Sequence, residues 1–462
     1  MPDLLSALTD LLGKKNVLTG EELRARDPGF DVNNMNAKAL IRPQDTEQVA
    51  AAMRLCHEAG QPVVTHGGLT GAVQGTVPAS DDIILSLERL NRIEAIDPVG
   101  RTMTVQAGVP LQIVQEAAEE SDLIFPVDLG SRGSCTIGGN ISTNAGGIQV
   151  IRYGMMRASV LGLEAVLADG RIISSMNRLL KNNSGYDLKQ LFIGTEGTLG
   201  VVTRAVLRLS ERPKEKRAAL VATDSFDQLM KLLQHTQNKL ESRLGGFEVM
   251  WREYYEFATE AQRIDPPLPL GSLCYTIVEG LCSYPEDSGI FNAVLEEAFD
   301  LGLVTDGVIA KSDGERESFW KLRDSFPLIV ATFPDIVDLD TSVPIAETER
   351  YVASTRARLR ERFPELVLLL HGHLGDGNLH PLVCGRDIDP QTRHEVEMIF
   401  YEPLRDVGGA VSAEHGIGIE RRNYLHLCRS EAEIGLMQTI KTALDPKGIL
   451  NPGKVLPINP QP

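Results

Sequence analysis

The sequence has few basic residues for its length. Across 462 residues, 46 Lys and Arg stand against 63 Asp and Glu, which gives a formal net charge of −17. A chain of this charge repels a phosphate backbone, and the densest basic stretch, RPKEKR at 212–217, is short and typical of a solvated linker. We therefore expect no nucleic acid among its partners.

The sequence also lacks disulfide spacing, leader signals and long apolar runs. Its six cysteines show no C-x-x-C and no regular spacing, which predicts buried thiols in a reducing compartment. The N-terminal MPDLLSALTDLLGKK is amphipathic and has none of the three segments of a signal peptide. No apolar run approaches the ~20 residues that span a bilayer. These absences predict a cytoplasmic protein without a transmembrane segment, with peripheral attachment to a membrane as the alternative.

Two common nucleotide-binding motifs are missing as well. Neither G-x-G-x-x-G nor G-x-x-x-x-G-K-[ST] occurs, which argues against a Rossmann site and a P-loop. Three other glycine-rich stretches are present: THGGLTG (65–71), SCTIGGNISTNAGG (134–147) and GTEGTLG (194–200). Glycine lets a backbone approach a ligand closely and offers N–H groups to anions. Any one stretch could be a simple turn, but together they favour a dinucleotide lying across several loops of a non-Rossmann fold.

The order of predicted elements indicates more than one domain. A chain of this length exceeds a single hydrophobic core, so two or three domains are expected. Residues 46–60 predict a helix that ends at glycine, and the chain from 62 to about 210 is rich in strands. The polar stretch 211–217 predicts a boundary. Beyond it strands alternate with long helices, which indicates an α+β domain.

The stretch HGHLGDGNLH (371–380) holds three of the nine histidines. LVLLL (366–370) and LHPLV (379–383) predict two strands joined by a tight GDGN turn. This hairpin would bring His373 and His380 together near the facing strand ends, with His371 one layer further from the turn. A pair of ordinary sheet histidines is the alternative.

A second polar cluster, SAEHGIG at 412–418, favours a metal site. Glu414 could join His373 and His380 in a two-His-one-carboxylate set with an open position. His415 would then be free for acid–base chemistry.

The glycine-rich stretches carry a family resemblance. The order of THGGLTG, FPVDLGSRGSCTIGGNISTNAGG (125–147) and NNSGYDLKQLFIGTEGTLGVVT (182–203) resembles the FAD-binding domain of vanillyl-alcohol-oxidase-type flavoproteins. Among these it is most similar to the FAD-linked D-2-hydroxy-acid dehydrogenases, over about residues 38–456. The resemblance implies an α+β fold with a two-subdomain FAD-binding domain, an α+β substrate (cap) domain and a helical C-terminal segment that returns to the flavin. The implied bounds are an N-terminal helical segment 1–38, FAD-binding domain 39–213, substrate-binding domain 214–405 and C-terminal segment 406–462.

The resemblance also implies which residues hold FAD. They are Gly67, Gly68, Thr70 and Gly71 around the pyrophosphate, Pro126, Gly138, Gly139, Thr143 and Asn144 along the flavin and its linker, Glu196, Gly197 and Gly200 near the ribityl or adenine end, and Asn451 returning to the flavin. In relatives with covalent flavin a histidine follows the first glycine pair. Here Leu69 follows it and His66 precedes it, so we expect non-covalent FAD.

The histidine clusters match the family's metal and base motifs. On that basis His373, His380 and Glu414 bind Zn²⁺ or another divalent metal, and His415 is the general base. Asn378 would contribute to the substrate or flavin side of the pocket.

The stretch FWKLRDS (319–325) supplies a substrate-binding candidate. Its arginine could be an ordinary surface residue, but the family's W-x-x-R arginine binds the substrate carboxylate, which assigns that role to Arg323. The implied reaction is metal-assisted oxidation of a D-2-hydroxy acid to the 2-oxo acid, with hydride transfer to flavin N5.

The sequence predicts the reaction type but leaves two groups of hydroxy acids as candidate substrates. D-2-hydroxyglutarate dehydrogenases usually have Thr, Lys and Asn where this sequence has Pro327, Asp338 and Leu382, which favours a monocarboxylate such as D-lactate over D-2-hydroxyglutarate. D-malate is a further candidate of the same substrate class. The FAD-binding stretches favour the hydroxyglutarate group instead.

The sequence also leaves two alternative classes of function open, and it leaves two classes of electron acceptor as candidate partners. The alternatives are a zinc hydrolase that uses the two-His-Glu site and a redox-inactive flavin-binding protein. For the dehydrogenase we expect an electron-transfer flavoprotein or a quinone as the electron acceptor. A homodimer is the default assembly.

Overall fold

The computed structural model describes residues 3–457, and the chain divides into two compact units. Unit 1 contains the chain up to Gly147, Tyr153–Arg212 and the chain from Glu414 onward, and unit 2 contains Ile148–Arg152 and Pro213–Ala413. The sequence prediction places domain boundaries after residues 213 and 405. The structure places the divisions after Arg212 and after Ala413, and it adds the short segment 148–152 to unit 2.

Helices and strands alternate along the described chain. The helices are α1 Leu4–Leu12, α2 Gly20–Arg24, α3 Thr46–Ala59, α4 Leu111–Glu119, α5 Ile137–Thr143, α6 Val150–Tyr153, α7 Met156–Ser159, α8 Phe226–Leu240, α9 Arg252–Gln262, α10 Asp287–Asp300, α11 Asp313–Arg323, α12 Phe326–Thr332, α13 Thr348–Arg362, α14 Pro390–Tyr401, α15 Leu404–Val407 and α16 Glu431–Leu444. The strands are β1 Val17–Leu18, β2 Ala39–Ile41, β3 Val63–His66, β4 Ile83–Ser86, β5 Ile93–Asp97, β6 Thr102–Gln106, β7 Leu123–Ile124, β8 Val160–Val166, β9 Ile172–Ser175, β10 Val201–Arg208, β11 Ser210–Glu211, β12 Glu215–Thr223, β13 Leu244–Trp251, β14 Cys274–Cys282, β15 Asp306–Ile309, β16 Asp335–Asp338, β17 Thr341–Ser342, β18 Val367–His373 and β19 Asn378–Gly385. Among these residues no helix is both long enough and apolar enough to cross a membrane.

Unit 1 is built on two main sheets. One has the order β1-β2-β4-β3, in which β2, β4 and β3 run parallel, and the other is the antiparallel sheet β5-β6-β10-β8-β9. Helix α3 begins where the Asp45 side chain accepts the Gln48 N–H and ends at Gly60, which has a left-handed conformation. The first glycine-rich stretch begins with the last two residues of β3, so its glycine loop starts at the carboxyl end of a parallel strand.

Unit 2 is built on one antiparallel sheet. Its order is β15-β12-β14-β13-β18-β19-β16, and β17 also pairs with β19. Strand β13 is buried along its whole length, as is β14, so both faces of the sheet are covered at its centre. Helix α8 begins with a capping box formed by Ser225 and Gln228. These central strands carry the polar residues of unit 2 that matter for chemistry.

The predicted histidine hairpin is present with a shifted turn. Strands β18 and β19 pair in a register that sets His371 opposite His380 and His373 opposite Asn378. The turn therefore occupies residues 374–377, with Gly377 at φ 85°, and Asn378 belongs to the strand. This shift by one residue places His371, rather than His373, directly across from His380.

The C-terminal segment is only partly helical. It contains α15, a 3₁₀ helix at Arg422–Leu427 and α16, and irregular chain connects them. Leu450 forms an isolated parallel bridge with Val63 of β3, so the end of the described chain packs against the first sheet of unit 1.

Candidate active site

A cleft of about 1370 Å³, open solvent included, crosses unit 1 where the three glycine-rich stretches meet. Most of the predicted FAD-binding residues line it: Gly67, Gly68, Thr70, Gly71, Gly138, Gly139, Thr143, Glu196, Gly197, Gly200 and Asn451. Pro126 and Asn144 are not among the lining residues, and Asn144 uses its side-chain oxygen to accept the N–H of Arg157. The cleft is therefore long and is bordered by several loops, as a bound dinucleotide requires.

The glycines of the first loop are required by close backbone packing. A Cβ on Gly68 would lie 2.1 Å from the carbonyl oxygen of Ser134, and a Cβ on Gly67 would lie 2.6 Å from Oγ1 of Thr136. Both distances are far below a normal contact, so any larger residue would push the first and second glycine-rich stretches apart.

The cleft also presents polar atoms without partners. Oγ1 of Thr65 and Oγ1 of Thr136 are buried, line the cleft and have no hydrogen-bond partner within residues 3–457. Buried hydroxyls normally find partners, so these two fit a polar ligand better than an apolar one. The donors, the glycine cradle and the length of the cleft all fit FAD.

His66 lies immediately before the first glycine pair, outside the cleft lining. It is buried, and its Nε2 lies 2.8 Å from the carbonyl oxygen of Thr76, to which it donates. Burial lowers the pKa of His66 to about 4, so the ring is neutral at working pH. A neutral, hydrogen-bonded ring suits the predicted role of His66 as a neighbour of the cofactor.

The E-H-G-I-G stretch borders the same cleft in unit 1. Glu414 and His415 both line it, and Oε2 of Glu414 accepts the Gly147 N–H at 3.0 Å. The second glycine of the T-N-A-G-G stretch therefore orients the Glu414 carboxylate. The predicted base and the predicted third metal ligand thus share a cleft with the glycines that are predicted to bind FAD.

Asn451 joins the C-terminal segment to the cleft. Its Oδ1 accepts the backbone N–H of Thr65 at 2.9 Å, and its Nδ2 donates to the carbonyl oxygen of Glu196 at 2.5 Å. Asn451 is buried and has a positive φ of 39°. Asn451, which is predicted to return to the flavin site, therefore connects two loops of the cleft by hydrogen bonds.

In unit 2 a buried carboxylate joins two predicted site residues. Glu248 lies in β13 with its Oε1 2.6 Å from Nδ1 of His373 and its Oε2 3.0 Å from Nε of Arg323. The third side of this triangle is closed by Nη2 of Arg323, which lies 3.1 Å from Nε2 of His373. Strand β13, strand β18 and the end of helix α11 each supply one member.

These contacts fix the tautomer of His373. A carboxylate only accepts hydrogen bonds and a guanidinium only donates them. Nδ1 of His373 must therefore donate to Glu248, and Nε2 must accept from Arg323. These two contacts place the ring proton on Nδ1 and direct the Nε2 lone pair at Arg323, and a ring with its lone pair on Nε2 is a form that can ligate a metal.

The rings of the other two hairpin histidines lie close by in tilted and edge-on arrangements. The His371 and His380 ring centroids are 5.1 Å apart, and those of His373 and His380 are 5.2 Å apart. Tyr254 packs on His371 with 4.5 Å between centroids and donates from its hydroxyl to the backbone oxygen of Arg323. His371 is thus as near to His380 as His373 is, although the sequence prediction leaves it outside the metal site.

Asn378 is held in a buried network. Its Nδ2 donates to Oδ1 of Asp340 at 2.9 Å and to the carbonyl oxygen of Thr341 at 3.2 Å. The second oxygen of Asp340 accepts from Oγ of Ser412 at 2.9 Å and from the N–H of Ala413 at 3.0 Å. The predicted role of Asn378 beside the substrate or flavin stays a prediction, and its amide nitrogen is already engaged in unit 2.

Sequence reasoning missed Glu248 and Asp340. Both carboxylates are buried, with Glu248 1% and Asp340 0% exposed. A signal was available for Glu248, because an acid inside the apolar run GGFEVMW must find partners if the strand is buried. Its partners, however, come from other strands and helices and cannot be read from the run itself.

Comparison with known families identifies two matching regions. Residues 37–175 match the FAD binding domain, and residues 212–455 match the C-terminal domain of FAD linked oxidases. The second match begins where unit 2 begins, after Arg212.

Several relatives match nearly the whole chain. A D-2-hydroxyglutarate dehydrogenase of Xanthomonas citri pv. viticola is 39% identical over 92% of this chain and 91% of its own. The mitochondrial D-2-hydroxyglutarate dehydrogenase of Danio rerio is 38% identical over 92% and 79%. A D-2-hydroxyglutarate–pyruvate transhydrogenase of Saccharomyces cerevisiae is 36% identical over 90% and 86%.

Two solved structures share the fold. A p-cresol methylhydroxylase has a TM-score of 0.76 at 16% identity and covers 99% of this chain and 97% of its own. An alkyldihydroxyacetonephosphate synthase has a TM-score of 0.75 at 16% identity, with 98% and 84% covered. At this level of identity the likeness concerns the fold alone.

Proposed function

Because the chain belongs to the FAD-linked D-2-hydroxy-acid dehydrogenases of the vanillyl-alcohol-oxidase type, we propose that it oxidises D-2-hydroxyglutarate to 2-oxoglutarate. The three relatives described above, which carry D-2-hydroxyglutarate in their names, match the chain at 36–39% identity over at least 90% of its length. The observation that carries the proposal is the cleft of unit 1, where His415 and Glu414 share a lining with the FAD-binding glycines.

When bound, FAD would supply a hydride acceptor and a divalent metal would supply a Lewis acid for the substrate hydroxyl group, and side chains lack both kinds of chemistry. The unit 1 cleft would hold FAD. For Zn²⁺ or another divalent metal we propose His373 and His380 of the hairpin together with Glu414, as the sequence prediction has them. The Nε2 lone pair of His373 supports this choice, since Glu248 already fixes the required tautomer.

Arg323 is the proposed binder of the substrate's α-carboxylate. Its planar guanidinium can donate two parallel hydrogen bonds to a carboxylate. Glu248 holds the Nε side of the guanidinium, which orients the fork before substrate arrives. Nη2 of the same guanidinium lies 3.1 Å from Nε2 of His373, so the proposed carboxylate binder is adjacent to a proposed metal ligand.

His415 is the proposed general base. A neutral imidazole offers a ring nitrogen that can accept a hydroxyl proton. His415 borders the cleft in which the flavin would lie. The product is then the 2-oxo acid.

A second candidate substrate is D-lactate or another hydroxy acid that needs no second cationic site. Its support is the absence of a cation at Asp338 and of a polar side chain at Leu382, which pair across β16 and β19. An acid at Asp338 would repel the distal carboxylate of hydroxyglutarate if the two met. The identity of the relatives favours hydroxyglutarate, and the residues at these positions favour the smaller acid.

The proposed function also requires an electron acceptor for the reduced flavin. We propose an electron-transfer flavoprotein or a quinone as the group that reoxidises the flavin. The name of the yeast relative adds a third class, since that protein transfers reducing equivalents to pyruvate. Reoxidation of the pre-reduced protein by each class would separate them.

A dye-reduction assay tests the proposed function. The purified protein is expected to be yellow and to reduce an artificial acceptor with D-2-hydroxyglutarate, D-lactate or D-malate but not with the L enantiomers. His415→Ala is expected to retain FAD and to lose turnover, and removal of the metal is expected to inactivate a still-yellow protein. A colourless protein would favour the zinc hydrolase, and a yellow protein inert toward every hydroxy acid would favour the redox-inactive alternative.

A further inference from the structure

Glu196 occupies an unusual position in the third glycine-rich stretch. It is buried and adopts a positive φ of 51°, which a residue with a side chain takes up only where its surroundings impose it. Its backbone N–H donates to the Ser142 carbonyl oxygen at 2.7 Å, and its carbonyl oxygen accepts from Asn451. The backbone of Glu196 is thus fixed from both sides within unit 1.

The carboxylate of Glu196 is directed at the E-H-G-I-G loop. Oε1 accepts the N–H of Ile417 at 2.7 Å, and Oε2 accepts the N–H of Gly418 at 2.9 Å. Two consecutive backbone donors therefore hold one carboxylate, one on each oxygen. Charge-assisted bonds of this kind are about twice as strong as neutral ones.

The glycines of the loop are explained by this contact. Gly416 has φ 93°, and a Cβ there would lie 2.8 Å from Oε1 of Glu196. Gly418 has φ 52°, and a Cβ there would lie 1.9 Å from the carbonyl oxygen of Val73 in the first loop. Only glycine lets the backbone after His415 wrap around the carboxylate and pack on the cleft wall.

The same backbone has further ties to unit 1. The Ile419 N–H donates to the Val73 carbonyl oxygen at 3.0 Å, and the Val455 N–H donates to the Gly418 carbonyl oxygen at 2.9 Å. Nη1 of Arg421 also donates to the Gly416 carbonyl oxygen, at 3.4 Å. Glu196 belongs to the third glycine-rich stretch, so its replacement tests the loop without a change in the sequence of the loop itself.

We infer that Glu196 is a positioning residue that holds the loop after His415 in place in the flavin cleft. The sequence resemblance gives Glu196 to the ribityl or adenine end of FAD, whereas each of its oxygens already accepts a backbone N–H. The consequence for turnover rests on the proposed function, because it assumes that His415 is the base. The holding of the loop does not depend on that assumption.

Glu196→Gly gives a clean test in the FAD-loaded protein. Glycine suits the positive φ at this position, so the backbone is not strained by the change. The lost carboxylate leaves two N–H donors that formate can occupy. Glu241→Gly is the matched control, because Glu241 also has a positive φ, of 50°, but its side chain is exposed. If Glu196→Gly fails to fold, Glu196→Gln is used in its place. The NH₂ group of glutamine would face one of the two backbone N–H groups, so one of the two hydrogen bonds to the loop would be lost.

Two readouts are measured on each variant. Amide hydrogen exchange of the segment 414–419 is expected to be at least 10-fold faster in Glu196→Gly with FAD retained, and formate is expected to slow it again. The rate of flavin reduction by D-2-hydroxyglutarate is expected to fall at least 10-fold and to recover with formate, while Glu241→Gly and the wild-type protein with formate keep their rates.

Other results would overturn the inference. Loss of FAD with unchanged exchange of 414–419 would make Glu196 a cofactor ligand. Unchanged exchange with FAD retained would show that Glu196 does not hold the loop. If the wild-type protein itself fails to reduce flavin with any hydroxy acid, the proposed function fails, and the exchange measurement alone still decides the role of Glu196.

Discussion

Nδ1 of His373 lies 2.6 Å from Oε1 of Glu248, a carboxylate buried in the strand next to the histidine hairpin. This contact holds the ring in the tautomer that offers Nε2 to a metal. The other oxygen of Glu248 holds Arg323, so one side chain orients both a predicted metal ligand and the predicted carboxylate binder. Glu248 thereby couples two functions that the sequence presents as separate motifs.

Glu248→Gln is expected to weaken both functions. The amide nitrogen of glutamine would face either Nδ1–H of His373 or Nε–H of Arg323, and Arg323 would lose the buried one of its two carboxylate partners, Glu248 and Asp324. Metal affinity, measured by competition with a chelator, is expected to fall about 10-fold or more, and the KM for the hydroxy acid is expected to rise. Glu279→Gln, a buried carboxylate that accepts from Nε1 of Trp320, is the control. Equal metal affinity and KM in both variants would remove Glu248 from the site.

Arg323→Lys is expected to impair substrate binding more than folding. A lysine keeps the charge but cannot form two parallel hydrogen bonds, and a charge-assisted bond contributes about 1.5–3 kcal/mol. We expect kcat/KM for D-2-hydroxy acids to fall about 10- to 100-fold. Arg316→Lys on the same helix keeps the pairing of that residue with Asp313 and serves as the control. A kcat/KM equal to that of the control would contradict the carboxylate-binding role.

Gly68→Ala and Gly71→Ala separate packing from cofactor contact. A Cβ on Gly68 meets the Ser134 carbonyl oxygen at 2.1 Å, whereas a Cβ on Gly71 meets no protein atom within 4 Å. Gly68→Ala is therefore expected to destabilise the FAD-free protein by about 1–3 kcal/mol. Gly71→Ala is expected to leave that stability unchanged and to weaken FAD binding if its loop surrounds the pyrophosphate. Thermal unfolding without FAD and fluorescence titration with FAD measure the two effects, and equal stability losses would argue against this distinction.

The lowered pKa of His66 predicts that the free energy of unfolding depends on pH. Its pKa is lowered from 6.5 to about 4 in the folded protein, so the unfolded chain binds a proton at a higher pH than the folded one. Neutral His66 therefore adds about 3 kcal/mol to the free energy of unfolding. This stabilisation is present in full above pH 6.5 and is lost as the pH falls toward 4. His66→Gln keeps a donor toward Thr76 and cannot be protonated in this range, so its unfolding free energy is expected to change less between pH 6.5 and 4. Parallel pH profiles of the two proteins would show that His66 is not the group responsible.

Local patterns in the sequence were sufficient to predict the hairpin and the glycine-rich cleft. Alternation of apolar residues and the Asp-Gly turn predict β18 and β19 because both are properties of neighbouring residues. The register was missed by one residue, since Leu374 joins the turn and Asn378 joins the strand, and this decides which histidine faces His380. A one-residue slip of this kind has no local marker.

Contacts between distant residues could not be predicted. The partners of Glu248 come from residues 323 and 373, and those of Glu196 come from residues 417 and 418. In both cases an acid in an apolar or glycine-rich stretch signals that partners must exist, because a buried carboxylate requires them. Which partners these are depends on the topology, and so does the division of the chain after Ala413.

Anaerobic mixing of the FAD-loaded protein with D-2-hydroxyglutarate tests the central proposal most directly, because it follows the flavin without an external acceptor. We predict that the flavin absorbance bleaches in a single phase with the D enantiomer, that the L enantiomer leaves it unchanged, and that 2-oxoglutarate forms in an amount equal to the bound flavin. A yellow protein whose flavin stays oxidised with D-2-hydroxyglutarate, D-lactate and D-malate, with its metal present, would contradict the assignment as a D-2-hydroxy-acid dehydrogenase.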